Sequence, residues 1–337
     1  MLVSVCSNIA LPARARRRDV LRWTCAGAAA VVGAARAQAP AWPNRPVRLI
    51  IPSIAGSPWD PMARHLADRL AQKFGQPFVV DNRGGATGLI GMDLVAKATD
   101  GHTLGVMFMP HALLPALHAR MPYDTLGDLA PVAQTQWTYN VLVTRPSMGV
   151  DSVRALVDKV RANPGKFSYS SGGNGSPAHV MGESFKQLTG TYILHVPYRG
   201  PVAALQDLVG GQSDLMFASV AAAVPHVQSG RLKALAVTSR EPLEALPGVP
   251  TFAAQGFANF DVRDWAGIVA SRSVPAERIG PLNEAIVQAL AEPGVPERFA
   301  RMGTYLQTGS AEQFQALIRA ELPKWAEVVR RAGIRLE

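Results

Sequence analysis

The chain has 337 residues, 48% apolar and 18% charged, with 34 Lys+Arg against 25 Asp+Glu. That balance belongs to a globular protein of about two domains and excludes disordered and fibrous chains. The formal charge of +9 is no case for nucleic acid, because Arg14, Arg16, Arg17, Arg18, Arg22 and Arg36 stand against Asp19 alone in the first 37 residues, and the rest is nearly balanced and lacks a basic run.

Residues 1–37 read as a cleaved export signal. A basic region ends in Arg16-Arg17-Arg18-Asp19-Val20-Leu21, an apolar stretch covers 25–35, and Ala35-Arg36-Ala37 supplies the small-residue pattern before the cut. The apolar stretch is about half the roughly 20 residues of a spanning helix, so no retained anchor is expected. The twin arginine followed by x-Val-Leu resembles a Tat signal, with ordinary Sec export the other reading. Cys25 does not open a lipobox, since Arg22 and Trp23 precede it. Cys6 and Cys25 are the only cysteines, so the mature chain forms neither a disulfide nor a thiolate metal site. The expected location is the periplasm, after signal removal.

From residue 47 short apolar runs alternate with helix-period stretches, the pattern of parallel α/β units. A strand is expected over 47–51. Asp60-Pro61 then reads as an N-cap with proline at the first helical position, and Ala63, Leu66, Ala67, Leu70 and Phe74 recur at helical spacing up to Gly75. A strand over 78–80, a helix over 88–98 and a strand over 103–109 complete a β-α-β-α-β unit. The second unit has a helix from Asp151 to about Arg161, a strand over 167–170 and a helix from Ser176-Pro177 to Gly190. A strand over 192–196, a helix over 201–209, a strand over 214–217, a helix over 221–228 and a strand over 232–237 follow. After the prolines 242, 247 and 250 come a strand-like run over 265–270 and helices near 276–291, 296–302 and 311–331.

Two such units imply two lobes, each an open and mostly parallel sheet flanked by helices, with ligands collecting in the cleft at the carboxyl ends of the strands. The expected layout is discontinuous: 45–135 plus 268–337 in one lobe, 146–262 in the other, and hinge crossings near 136–145 and 263–267.

Three loops join a strand to a helix N-terminus, where unpaired amides suit an anion. They are Ser53-Ile54-Ala55-Gly56-Ser57-Pro58-Trp59, Asn82-Arg83-Gly84-Gly85-Ala86-Thr87-Gly88 and Ser170-Ser171-Gly172-Gly173-Asn174-Gly175-Ser176. None is a Walker motif. Gly173-x-Gly175-x-x-Ala178 matches a dinucleotide fingerprint in form, but His195-Val196-Pro197-Tyr198-Arg199-Gly200 lacks the acid that would hold a ribose. The histidines show no metal-ligand spacing and no G-x-S-x-G elbow is present, so neither a metal nor hydrolytic catalysis is expected. His111 reads either as a cleft residue or as a surface loop residue, and His179 as a packed core histidine.

Further stretches run in an order of their own: Trp42-Pro43-Asn44-Arg45-Pro46-Val47, Val95-Ala96-Lys97-Ala98 before Asp100-Gly101-His102-Thr103-Leu104, Leu129-Ala130-Pro131-Val132, Leu215-Met216-Phe217 and Leu246-Pro247-Gly248-Val249-Pro250-Thr251. Together with the loops they make the mature chain resemble the Bug family of periplasmic solute-binding receptors, the substrate-binding components of tripartite tricarboxylate transporters. The resemblance implies a type II periplasmic-binding-protein fold that closes on a small carboxylate through loop amides, hydroxyls and water. It implies no catalysis and no cofactor, integral-membrane transporter subunits as partners, no nucleic acid and a monomer. The implied ligand positions are Ser53, Ile54, Ala55, Gly56, Ser57 and Trp59; Met109 and His111; Ser171, Gly175 and Ser176; Tyr198 and Arg199; and Ser219, where many relatives carry an aspartate that could bind an amine. Its replacement argues against an amino-acid ligand. Trp59, where relatives carry smaller residues, either packs on its own lobe or narrows the cleft. The alternatives of other classes are an exported Rossmann-like oxidoreductase and an orphan receptor that presents its ligand to a signalling partner.

Overall fold

The computed structural model describes residues 42–258, 260 and 262–334, so the export-segment reading lies outside the described residues. Its first three strands, β1 (Val47–Ile51), β2 (Phe78–Asn82) and β3 (Thr103–Phe108), run parallel, with helices α1 (Asp60–Phe74) and α2 (Leu89–Ala96) between them. α1 forms because Ala63, Leu66, Ala67 and Leu70 make one buried stripe, and Gly75 ends it at φ 70°, its amide donating to Ala71. Helix α3 (Pro110–Leu117) follows β3, then β4 (Leu129–Thr138) and β5 (Asn140–Thr144).

The second unit contains α4 (Val153–Arg161), β6 (Ser168–Ser171), α5 (Pro177–Thr189), β7 (Leu194–Pro197), α6 (Pro201–Val209), β8 (Leu215–Ser219), α7 (Val220–Gln228) and β9 (Lys233–Val237). Serine caps start two of its helices: the Ser152 hydroxyl accepts from the Ala155 amide and the Ser176 hydroxyl from the His179 amide. The chain closes with β10 (Asp264–Ser271), α8 (Ile279–Leu290), α9 (Val295–Arg301), β11 (Thr304–Leu306) and α10 (Ala311–Ala332), the last opened by a reciprocal Ser310–Gln313 capping box.

Two sheets result, ordered β11-β4-β10-β3-β1-β2 and β7-β6-β8-β5-β9. β10 lies antiparallel between β3 and β4, so β1 to β4 share one direction and β10 and β11 the other. In the second sheet β5 runs against β8 and β9, while β6, β7 and β8 are parallel. One core cluster, with Leu49, Ile51, Leu66, Phe108, Ile268 and Ile286, covers one face of the first sheet. The other runs from the opposite face (Ile50, Met107, Trp265) through Leu113, Phe314 and Trp325 to Leu142, Phe217 and Leu235 of the second sheet. Both faces of the first sheet are therefore covered, as parallel strands require. α10 packs on α3 and β4 and also touches α5.

Several features differ from the sequence reading: the sheets are mixed and not mostly parallel, since β10 enters antiparallel to β3 and β4 and β5 antiparallel to β8 and β9, and the short strands β5 and β11 are additional to the expected elements. Asp60 is not the cap: α1 starts at Asp60, and Trp59 precedes it without a side-chain bond. Helix α3 escapes a periodicity search because Pro115 lies inside it. β4 escapes because it carries Pro131 and the buried polar residues Gln134, Thr135 and Gln136, which give neither alternation nor an apolar run.

α2 packs tightly on the loops that precede it. A Cβ at Gly91 would stand 2.6 Å from the Arg83 carbonyl oxygen and 2.8 Å from Pro52 Cα, both backbone atoms. Alanine gains up to about 1 kcal/mol of helix propensity, but such overpacking costs about 1–3 kcal/mol. Gly91→Ala is therefore expected to lower the urea midpoint, and a raised midpoint would show that the helix has room to move.

Candidate functional site

Three junctions of the first sheet are tied into one unit. The Arg83 amide donates to the Ile51 carbonyl (2.8 Å), joining the loops after β1 and β2. Below them the Asp60 carboxylate accepts from Arg64 Nε (2.8 Å) and from Asn82 Nδ2 (3.0 Å), and the Gly56 amide adds to these. Burial opposes the charge, yet these donors hold the carboxyl below its ordinary range. Asp60 is thus a brace between two loops. Gly84 stands so close that a Cβ would lie 3.3 Å from the Ile54 amide nitrogen.

The third junction is fixed by rings. Phe108 stacks on Trp59 at 4.0 Å and 8° and meets His111 at 4.1 Å and 59°. His111 is fully buried; its Nδ1 accepts from the Phe108 amide (3.1 Å), leaving Nε2 to face the Gly88 carbonyl (3.4 Å). Gly88 at φ 94° makes room for it, since a Cβ there would lie 2.7 Å from Nε2. Loss of water pushes the imidazole down to about 4, so it is neutral. Trp59 is half-buried against its own sheet, and its Nε1 has no partner among the described residues. Ile54, by contrast, is 72% exposed.

The second sheet presents a matching cluster. Ser171 Oγ lies 2.6 Å from His195 Nε2 and accepts from the Gly173 amide (3.1 Å). His179 Nδ1 accepts from the Gly175 amide (3.0 Å), and the two imidazoles stack at 3.9 Å and 4°. Tyr169 stacks on His195 from below and donates its hydroxyl to Glu183 (2.7 Å), which also pairs with Lys186. Burial lowers both histidines, His195 to about 3, helped by its neighbours His179 and Lys186. The Tyr198 amide donates to the Ser171 carbonyl (2.9 Å), and its hydroxyl engages Asp207. Arg199 is exposed and has no ion-pair partner among the described residues.

The fourteen predicted positions thus fall into two groups at the carboxyl ends of strands. Ser219 ends β8 beside Asn140, at the junction of the sheets. The side chains of Met109, His111, Ser57 and Ser171 are turned inward, and the amides of Gly173 and Gly175 are already engaged. Sequence reading missed the bracing roles of Asn82 and His195, and missed Asp264, a buried acid opening an otherwise apolar strand. A cavity of about 370 Å³ lined by Glu244, Glu297, Arg301 and Tyr305 shares no residue with these loops and lies at β11. Among the described residues no three His, Cys, Asp or Glu side chains are grouped to hold a metal ion, and no helix is long and apolar enough to cross a membrane.

Known proteins resemble this chain in sequence and fold. The family described as the tripartite tricarboxylate transporter family receptor matches residues 62–334. Protein BugT of Bordetella pertussis is 37% identical over 307 residues, covering 90% of this chain and 94% of BugT. The solved structure of R. palustris Rpa4515 with adipate superposes with a TM-score of 0.79 at 32% identity, over 88% of this chain and all of that one. The periplasmic binding protein BugD does so at 0.77 and 30%, with the same coverage.

The neutral histidines fix a pH response. Their folded values lie below the ordinary 6.5, so the unfolded chain binds more protons between about 6.5 and 3, and stability falls as pH drops through that window. Each such histidine costs up to about 1.4 kcal/mol per pH unit. The melting temperature is expected to fall from pH 7 to pH 5, and His195→Gln to make the fall shallower. An unchanged slope in that variant would show that His195 is free to protonate.

Proposed function

Since the chain belongs to the tripartite tricarboxylate transporter receptor family, a family of solute-binding proteins, we propose that it captures a small carboxylate between its two sheets and delivers it to integral-membrane transporter subunits, without catalysis. The observation that carries this reading is the pair of braced loop clusters, one per sheet, in which Arg64 and Arg83 are taken up by Asp60 and Asp81 and the remaining donors, apart from Arg199, are uncharged hydroxyls and amides. Such donors suit an anion that must be held and released. The adipate bound to a relative 32% identical points to the same chemical class.

The enzyme reading has less support. Ser171 is fully buried, and among the described residues no acid is bonded to His195, so the pair lacks the third member that orients a base. The amides of Gly173 and Gly175, which a dinucleotide fingerprint would turn to a pyrophosphate, are held by Ser171 and His179.

In this reading the lobes are 45–135 with 268–337 and 146–262, turning about 136–145 and 263–267. Supporting it, β4 passes into β5 through one residue, Tyr139, and β10 returns to the first sheet. Residues 1–37 direct the chain to the periplasm and are removed there.

A thermal-shift series with succinate, adipate and citrate tests the proposal. A ligand at a hundredfold excess over Kd stabilises the fold by about 2.7 kcal/mol, and a shift with at least one of the three is expected. Arg199→Ala should weaken binding less than about tenfold, in keeping with an exposed charge, and Ser176→Ala should weaken it as well. Complete loss in the arginine variant with no effect in the serine variant would contradict capture by uncharged donors.

A further inference from the structure

Asp264, the first residue of β10, is 4% exposed, and its Oδ1 is enclosed without a hydrogen-bond partner among the described residues. Its position is as telling as its burial. On one side it pairs with Thr138, the last residue of β4 before the chain crosses to the other sheet. On the other side β10 pairs with β3, which ends at Phe108 and leads into Met109 and the start of α3. The Met109 and Trp265 amides reach the carboxyl. An acid with an empty acceptor position therefore lies where the junctions of the first sheet meet the crossing strands.

The groups around it do not favour a charge. From α10 comes Glu321, a second acid, bonded to the indoles of Trp265 (3.0 Å) and Trp325 (2.6 Å) and paired with Lys324. From α3 comes His111, buried and neutral. β4 contributes Thr138 and Gln136, and the crossing contributes Tyr139. The preceding Arg263 lies over the Trp137 ring at 4.5 Å. Burial and Glu321 outweigh the two amides and push the carboxyl up to about 8.

A neutral buried acid has one O–H to place, and leaving it unplaced is costly. A carboxylate arriving at the start of α3 would supply the acceptor, whereas an ionised Asp264 beside that carboxylate would repel it. Resting on the carboxylate reading above, we propose that Asp264 acts in ligand recognition as a neutral acid: its O–H donates to one oxygen of the bound carboxylate, so capture takes up one proton from solvent wherever the free protein has lost it. The site then prefers an acceptor at this point and disfavours ligands that present only a donor.

The test is adipate binding by calorimetry to the full mature chain from pH 6.5 to 9.5, in buffers of different ionisation enthalpy. Over that range adipate keeps both charges. The wild type is expected to hold its affinity up to about pH 8, then to lose about tenfold per pH unit, with close to one proton taken up per adipate at the alkaline end. Asp264→Asn, whatever its absolute affinity, should show a flat profile and no proton uptake. In the ligand-free chain the wild type should lose thermal stability relative to the variant as pH rises from the ordinary 3.8 through about 8, because its folded state holds the Asp264 proton longer. Adipate binding by the wild type with a flat profile, or a wild-type slope in the variant, would overturn this role and leave carboxylate capture standing. Wild-type protein that binds none of succinate, adipate and citrate at any pH would overturn both.

Discussion

β4 ends at Thr138 and β5 begins at Asn140, so one residue, Tyr139, joins a hydrogen-bonded strand of the first sheet to one of the second. That short a link fixes where the two sheets meet. The Tyr139 carbonyl accepts from the Val220 amide (3.1 Å) and the Asn140 carbonyl from the Thr238 amide (2.9 Å), which seats the ends of β8 and β9 against the same point. β10 enters antiparallel between β3 and β4 and provides the return. The loops with spare polar groups thus lie at strand ends in both sheets, and no loop has to be long to reach its neighbours.

The chemistry of those loops follows from how their charges are occupied. Arg48 and Arg83 share Asp81, and Arg64 is held by Asp60. Exposed ion pairs of this kind add little stability, but they take three cations out of competition for a ligand. The buried histidines are neutral and serve as fixed acceptors for backbone amides, so they position loops and carry no charge into the site. Among the described residues Arg199 is left exposed at one edge without an ion-pair partner.

Much of the fold was legible in the sequence because its signals are local. Ser176-Pro177 and Gly190 bound α5 as their capping chemistry requires, and the spacing of Ala63, Leu66, Ala67 and Leu70 marked the buried stripe of α1. The crossing strands were not legible, since Gln134 and Gln136 are buried by tertiary pairing with β10, and nothing local announces that. Within the site, the loops were found from their glycines and hydroxyls, whereas their internal bonds were not. That Trp59 stacks on Phe108, that His111 fills the space left by Gly88 and that Gly175 is held by His179 are contacts over distances in sequence from 4 to 49 residues, which only the folded chain brings together. Asp264 stood in plain view, but an acid at the head of an apolar strand gains meaning only once its burial is known.

The central claim is that one carboxylate is held by both sheets at once. A crystal structure of the mature chain grown with adipate tests it most directly. The account predicts adipate in contact with residues 53–59 or Met109 on one side and with 171–176 or Arg199 on the other. Adipate seated against one sheet alone, or in the cavity at β11, would contradict it.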